Sequence, residues 1–254
     1  MSGKLLVIGL GPGAECHLTP QASESLATAE VLFGYGPYLD RVPERADQRR
    51  VASDNRQEID RASDALTQAA NGSRVALVSG GDPGVFAMAA AVCQAIEQGP
   101  DQWREIELAI VPGITGMLAV AARVGAPLGH DFCALSLSDN LKPWPIVEKR
   151  LQAAASAGLV IALYNPISRA RPWQLDRAFE LLRELLPGET PVIFGRAMTR
   201  PDERVQITTL SGALGSHADM ATCVIVGSAE TKIVQRPNLA PLVYTPRSFA
   251  SSNT

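Results

Sequence analysis

Three glycine- and proline-rich segments carry the first chemical signal in the sequence: Gly9-Leu10-Gly11-Pro12-Gly13, Gly80-Gly81-Asp82-Pro83 and Pro112-Gly113. Each directly follows an apolar, strand-like run. Glycine lets a main chain approach a ligand closely because no Cβ intervenes, and in open α/β sheets ligands bind outside the carboxyl ends of the strands. One such segment alone reads better as a tight turn. Three of them at strand ends within one half of the chain favour a binding site.

The first segment invites a dinucleotide-binding reading, and its details oppose it. Pro12 removes a backbone N–H from the loop that would hold a pyrophosphate. The next helix is expected to start at Thr19-Pro20, well past the loop, so its dipole is not aimed there. The second strand ends in Gly34-Tyr35 without an acid for a ribose, and no Gly-Lys-Ser/Thr follows any glycine loop. Nicotinamide and ATP chemistry are both disfavoured. Four cysteines (Cys16, Cys93, Cys133, Cys223) and three histidines (His17, His130, His217) are dispersed without ligand spacing, so no metal site is expected.

Composition narrows the class further. Apolar residues make up 46% and charged residues 19% of 254 residues, ordinary for a globular enzyme. A formal net charge of −3 supplies no field for nucleic acid or anionic membrane, and no run of ~18 apolar residues is present to span a bilayer. The first residues run straight into a strand-like segment and the thiols are scattered, so a cytoplasmic protein is expected.

The elements that must position these loops alternate between short β-rich runs and helical patterns. Strands are expected at Lys4–Leu10, Glu30–Phe33, Arg74–Ser79 and Glu107–Val111, with helices from Thr19, over Asn55–Ala70 and over Phe86–Ile96. The second half offers helices at Trp144–Ala157 and Pro172–Leu186, and strands at Leu159–Tyr164, Pro191–Phe194, Arg204–Thr208 and Thr222–Val226. Strands separated by helices imply crossover connections in an α/β fold. Strand follows strand more often toward the end, so a mixed sheet is expected there. A boundary near Pro112-Gly113 divides the chain into an N-terminal α/β domain, 1–112, and a C-terminal one, 113–254. The residues after Arg247 are polar, and fraying is expected there.

In order and spacing, Val7-Ile8-Gly9-Leu10-Gly11-Pro12-Gly13 with Leu18-Thr19, then Ser79 to Pro83, then Val111-Pro112-Gly113-Ile114-Thr115, resemble the tetrapyrrole methylase family over nearly the whole chain. Gly129 to Cys133, Leu137 to Trp144, Ala162 to Pro166 and Arg171 to Leu175 resemble the branch that methylates a precorrin at C17. The resemblance implies two α/β domains of the class III S-adenosylmethionine-dependent methyltransferase fold, a cofactor cleft between them, and a homodimer. It implies methylation of precorrin-3B at C17 with ring contraction to precorrin-4, a step of cobalamin biosynthesis, and S-adenosyl-L-methionine as the cofactor. Carried over by position, Pro12 lines the cleft; Gly80, Gly81 and Asp82 meet the amino-acid part of the cofactor, with Val85 beside them. Thr115 and Gly116 lie near its methionine moiety, and Tyr164 and Ala197 contribute to the adenosine pocket. The segment Phe194 to Met198 stands where relatives often carry an asparagine. Asp82 taken alone would be a turn residue before proline.

S-adenosylmethionine carries no phosphate, so the imperfect first loop suits it. Methyl transfer chiefly needs alignment, whereas contraction benefits from a general acid or base; His17 and Asp139 are the candidates, with a surface histidine and a helix cap as the plainer readings. A polycarboxylate substrate calls for fixed cations, and arginines cluster at Arg45, Arg49, Arg50 and Arg56, at Arg169 and Arg171, and at Arg196, Arg200 and Arg204. Each cluster alone reads better as a solvated face. Competing readings are methylation at another corrin carbon, a cobalt-bearing substrate, a family member acting on protein or ribosomal RNA, and a non-enzymatic nucleotide-binding regulatory module.

Overall fold

The run Lys4–Gly9 (β1) is apolar at consecutive positions, the pattern of a parallel strand covered on both faces. In the computed structural model, which describes residues 3–54, 57–168 and 170–248, Leu5 and Val7 pack to one side of it and Leu6 and Ile8 to the other. The chain divides into two compact units, Met1–Thr115 and Gly116–Thr254.

In the first unit β1 is followed by α1 (Pro20–Thr28), β2 (Val31–Tyr35), a single turn α2 (Gly36–Leu39), β3 (Arg49–Ser53), α3 (Glu58–Ala70), β4 (Arg74–Ser79), α4 (Met88–Gln98) and β5 (Glu107–Val111). The five strands form a parallel sheet in the order β3-β2-β4-β1-β5. One face packs against α3 and α4 through Ala62, Leu66, Met88 and Val92; the other packs against α1 and α2 through Ala22, Leu26 and Leu39. The expected cap of α1 is present: Thr19 Oγ1 accepts the Ala22 N–H at 3.1 Å.

The second unit contains α5 (Gly116–Val124), β6 (Gly125–Ala126), β7 (Phe132–Ser136), α6 (Trp144–Ser156), β8 (Val160–Tyr164), α7 (Gln174–Arg183), β9 (Pro191–Arg196), β10 (Arg204–Thr209), β11 (Thr222–Val226), β12 (Lys232–Arg236) and β13 (Leu239–Tyr244). Its main sheet, β10-β9-β11-β8-β7, is mixed: β7 and β8 are parallel and the other pairs antiparallel. Phe179, Leu175 and Leu182 of α7 cover one face, and Val120 and Val124 of α5 lie on the other. A small sheet β12-β13-β6 adjoins that second face through Ile233 and Val243.

Two expected helix starts move for physical reasons. Phe86 adopts φ 52°, which no right-handed helix admits, so α4 begins at Met88. The α7 segment begins at Gln174 because Pro172 and Trp173 belong to the preceding turn. Asn55, the expected start of α3, lies outside the described residues, as do Arg56, Arg169 and the polar end beyond position 248. No helix among the described residues is long and apolar enough to cross a membrane.

Candidate active site

The three glycine loops converge. Strands β4, β1 and β5 are neighbours, so their carboxyl ends lie side by side. Gly11 and Gly81 form an isolated antiparallel bridge, with Gly11 N–H donating to the Gly81 carbonyl at 3.1 Å and Gly81 N–H to the Gly11 carbonyl at 3.0 Å. Both sit in the left-handed region, at φ 64° and 67°, which glycine adopts without strain. Gly113 closes the junction from the third loop: a Cβ there would lie 2.3 Å from the Gly81 carbonyl oxygen and 3.0 Å from Gly9 Cα. The amides of Gly11 and Gly81 each donate to the other's carbonyl, so neither is left to meet a phosphate.

Asp82 holds the junction together. Its Oδ1 accepts the Gly84 N–H at 2.8 Å and its Oδ2 accepts the Gly113 N–H at 3.0 Å, tying the loop after β4 to the loop after β5. A carboxylate has about four lone-pair sites, so both oxygens keep capacity for a ligand donor. Val85 is half-buried beside it, and its N–H donates to the Asp82 carbonyl at 3.2 Å. Gly80 lies under the ring of Tyr38, where a Cβ would come within 2.8 Å. Arg41 donates to the Leu10 and Gly11 carbonyls at 2.8 and 2.9 Å, fixing the first loop from below. Tyr38 and Arg41 were not among the expected site residues; the aromatic-rich Gly34-Tyr35-Gly36-Pro37-Tyr38 run was the available signal. Pro12 is half-buried one residue past the bridge, and Thr115 is buried at the end of the unit.

His17 ends a 3-10 turn, Glu15–His17, beside the first loop. Its ring Nδ1 lies 3.5 Å from Cys16 Sγ, and its carbonyl oxygen is 2.8 Å from the place a Gly11 Cβ would take.

In the second unit, Gly116, Tyr164 and Ala197 gather at one end of the main sheet. Tyr164 ends β8, and its hydroxyl accepts the Met117 N–H of the first turn of α5 at 2.9 Å. A Cβ on Gly116 would stand 3.7 Å from both Tyr164 Cε1 and Cys223 Cβ. Cys223 is on β11, between β8 and β9, and Ala197 follows β9 with its N–H donating to the Ala221 carbonyl at 3.0 Å. Ala197 and Asn165, which follows Tyr164, hold φ 47° and 50°. Such conformations cost of order 1–3 kcal/mol and concentrate at functional sites. Losing the Tyr164 hydroxyl in Tyr164→Phe is expected to lower unfolding free energy by about 1 kcal/mol, read by urea titration, because the helix-start amide then lacks its acceptor.

Burial pushes the Cys223 thiol up to about 12. The folded value lies above the unfolded one, so this group's stabilisation is complete below the unfolded value of 9.0 and is lost as pH rises toward the folded value. Two results are expected: iodoacetamide labels exposed Cys16 and Cys93 but spares Cys223 until denaturant is added, and denaturation midpoints fall through that alkaline window. A Cys223→Ser variant with an unchanged alkaline profile would contradict the second.

Asp139 is committed within the second unit: Arg171 forms an ion pair with it, and Gln174 Nε2 donates to its Oδ1 at 3.0 Å. The arginine clusters are largely engaged internally. Arg45 pairs with Asp47, and Arg50 donates to the carbonyls of Leu39, Val42 and Pro43. Arg49 donates to Gln68, and Arg196 pairs with Asp202 and Asp219. Among the described residues no group of three or more His, Cys, Asp or Glu could hold a metal ion.

Two α/β units, the first carrying three glycine loops joined at a junction that Asp82 clamps, define a class of two-unit α/β protein. Residues 4–213 match the model of the Tetrapyrrole (Corrin/Porphyrin) Methylases, and the chain belongs to that family. It is 63% identical over 253 residues to a precorrin-3B C(17)-methyltransferase of Sinorhizobium sp, covering 100% of both chains. It is 39% identical over 242 residues to a probable cobalt-factor III C(17)-methyltransferase of Salmonella typhimurium, covering 95% of this chain and 99% of the other. The solved structure of the methyltransferase CobJ superposes with a TM-score of 0.91 at 48% identity, covering 96% of this chain and 100% of that one.

Proposed function

We propose that this protein transfers a methyl group from S-adenosyl-L-methionine to C17 of precorrin-3B and promotes contraction of the macrocycle to precorrin-4, within cobalamin biosynthesis. The observation that carries the reading is the 63% identity, over the whole chain, to the Sinorhizobium enzyme. The glycine junction supports it: the half-buried Asp82 carboxylate is an acceptor with lone pairs to spare, matched to an ammonium or ribose hydroxyls rather than to phosphate.

When bound, S-adenosylmethionine supplies a methyl group already activated by the sulfonium. The chain's own task is then alignment. Gly80, Gly81 and Asp82 hold the amino-acid portion, with Pro12 and Val85 shaping its surroundings and Thr115 and Gly116 near the methionine moiety; Tyr164 and Ala197 serve the adenosine. The rigid Gly11–Gly81 bridge and the Tyr164–Met117 hydrogen bond keep these groups from shifting. For contraction, His17 is the proton carrier at a ring hydroxyl, with Asp139 as the second candidate. Ring contraction retained at full rate in a His17→Ala, Asp139→Ala double variant would remove both. The enzyme is further read as a cytoplasmic homodimer. The thiols described are free, and the outer face of the small sheet exposes Val234, Leu242 and Tyr244; light scattering tests the dimer.

The test is incubation of the purified protein with precorrin-3B and methyl-labelled S-adenosylmethionine, followed by mass and NMR analysis. One label at C17 in a contracted ring is expected. A label at C17 without contraction would separate the two steps, and label only on a cobalt-bearing substrate would move the assignment to the Salmonella type. No transfer to any precorrin would refute the reading.

A further inference from the structure

We propose that Lys142 and Trp173, on two loops of the second unit that Arg171 locks together, form the rim that takes up a carboxylate-bearing edge of the tetrapyrrole. This inference rests on the proposed function and adds the residues that select the substrate.

The loops leave the same end of neighbouring parallel strands, β7 and β8. Arg171 joins them by an ion pair to Asp139 and a hydrogen bond to Asn140. Gln174, only 2% exposed, donates to Asp139 from below, and Trp144 meets Trp173 edge to face at 4.8 Å between ring centroids. Asn165 adds a further tie, donating to Ser136 Oγ at 2.9 Å. A guanidinium fork and an aromatic pair restrain the loops more firmly than a surface turn requires.

What this frame presents is chemically specific. Leu141, 92% exposed, precedes the half-buried Lys142 on one loop, and Trp173, 43% exposed, stands on the other against Trp144. The Lys142 ammonium donates to the Ser138 carbonyl at 3.2 Å, and among the described residues no carboxylate stands within ion-pair distance of it. Burial, then the nearby Arg150, push its pKa down, with Asp139 opposing them. An ammonium partly removed from water, beside a second cation and with the Asp139 carboxylate beyond ion-pair distance and engaged by Arg171, is a site that an incoming carboxylate completes. Two buried polar atoms of the same region, Trp144 Nε1 and Ser168 Oγ, also lack partners among the described residues. Native proteins rarely leave such groups unmet without a ligand, water or functional reason. A macrocycle with apolar faces, edged with acetates and propionates, matches the combination of exposed aromatic, aliphatic and cationic groups.

Lys142→Met keeps the aliphatic stem and deletes the charge. It is expected to raise KM for precorrin-3B about tenfold, equivalent to about 1.4 kcal/mol, with a much smaller change in kcat and unaltered S-adenosylhomocysteine affinity. Lys142→Arg should recover most of the loss, and added salt should shrink the difference. Trp173→Ala should raise KM similarly but without salt dependence. Values of KM within about twofold of the parent for both Lys142→Met and Trp173→Ala would overturn the proposal. If the parent itself does not methylate precorrin-3B, the proposed function fails and the rim is tested directly. Quenching of tryptophan fluorescence by uroporphyrin III, an octacarboxylate, should then be weaker for Lys142→Met than for the parent and restored by Lys142→Arg. Equal titration curves would reject the rim.

Discussion

Gly113→Ala is expected to abolish measurable S-adenosylhomocysteine binding and to lower unfolding free energy by about 3 kcal/mol, at the upper part of the range for overpacking. The added Cβ would lie 2.3 Å from the Gly81 carbonyl oxygen and 3.0 Å from both Gly9 C and Cα. These neighbours are backbone atoms, two of them next to a strand end, so none can rotate away as a side chain would. Relief requires the loop after β5 to separate from the other two, which also breaks the Gly113 N–H bond to Asp82. Calorimetric titration with S-adenosylhomocysteine and urea unfolding provide the two readings. Gly36→Ala is the control, since a Cβ there meets nothing within 4 Å, and it should bind like the parent. Parent-like binding by Gly113→Ala would show that the junction is not needed for the cofactor.

Asp82→Asn should be nearly as damaging as Asp82→Ala. The two carboxylate oxygens accept from different amides, Gly84 and Gly113. An asparagine has one oxygen and one amino group, so one of the two N–H groups must face another donor. Hydrogen bonds to a charged acceptor contribute about 1.5–3 kcal/mol each, and losing one while leaving its partner unmet predicts a fall in S-adenosylhomocysteine affinity of at least about tenfold. Asp82 has two functions in this account, clamping the loops and meeting the cofactor, and the substitutions separate them. An Asp82→Asn protein with parent-like thermal stability but lost affinity would assign it to the ligand alone; equal losses would assign it mainly to the clamp. Parent-like values for both would contradict the account.

Much of this architecture was legible in local patterns. The parallel strands of the first unit read as continuous apolar runs because both of their faces are covered, and Thr19-Pro20 marked the start of α1 through a capping hydroxyl and a residue that needs no N–H partner. Strand β3 carries two arginines in five residues and escapes any hydrophobic pattern; it is recruited at the sheet edge by pairing with β2. In the small sheet, β12 has only Ile233 and Val234 apolar between charged and polar residues, and the apolar run of β13 is interrupted by Pro241, which reads against a strand. Helix α5 begins with a glycine directly after Pro112 to Thr115, where turn chemistry masks the helical pattern that follows.

The same division holds for the site. Sequence alone determined that three glycine loops end three strands and that Tyr164 closes a strand with Asp82 in the loop after another, because glycine and proline act through their own backbone geometry and apolar runs mark the strands. Only the tertiary structure decided that Gly11 and Gly81 bond each other and that Asp82 spans two loops. It also decided that Tyr38 and Arg41 brace the junction, and that Asp139 is tied to Arg171. Those facts depend on strand order and on partners some 30 or more residues apart in the chain, and a hydrogen bond between distant residues leaves no periodicity in the sequence from which it could be read.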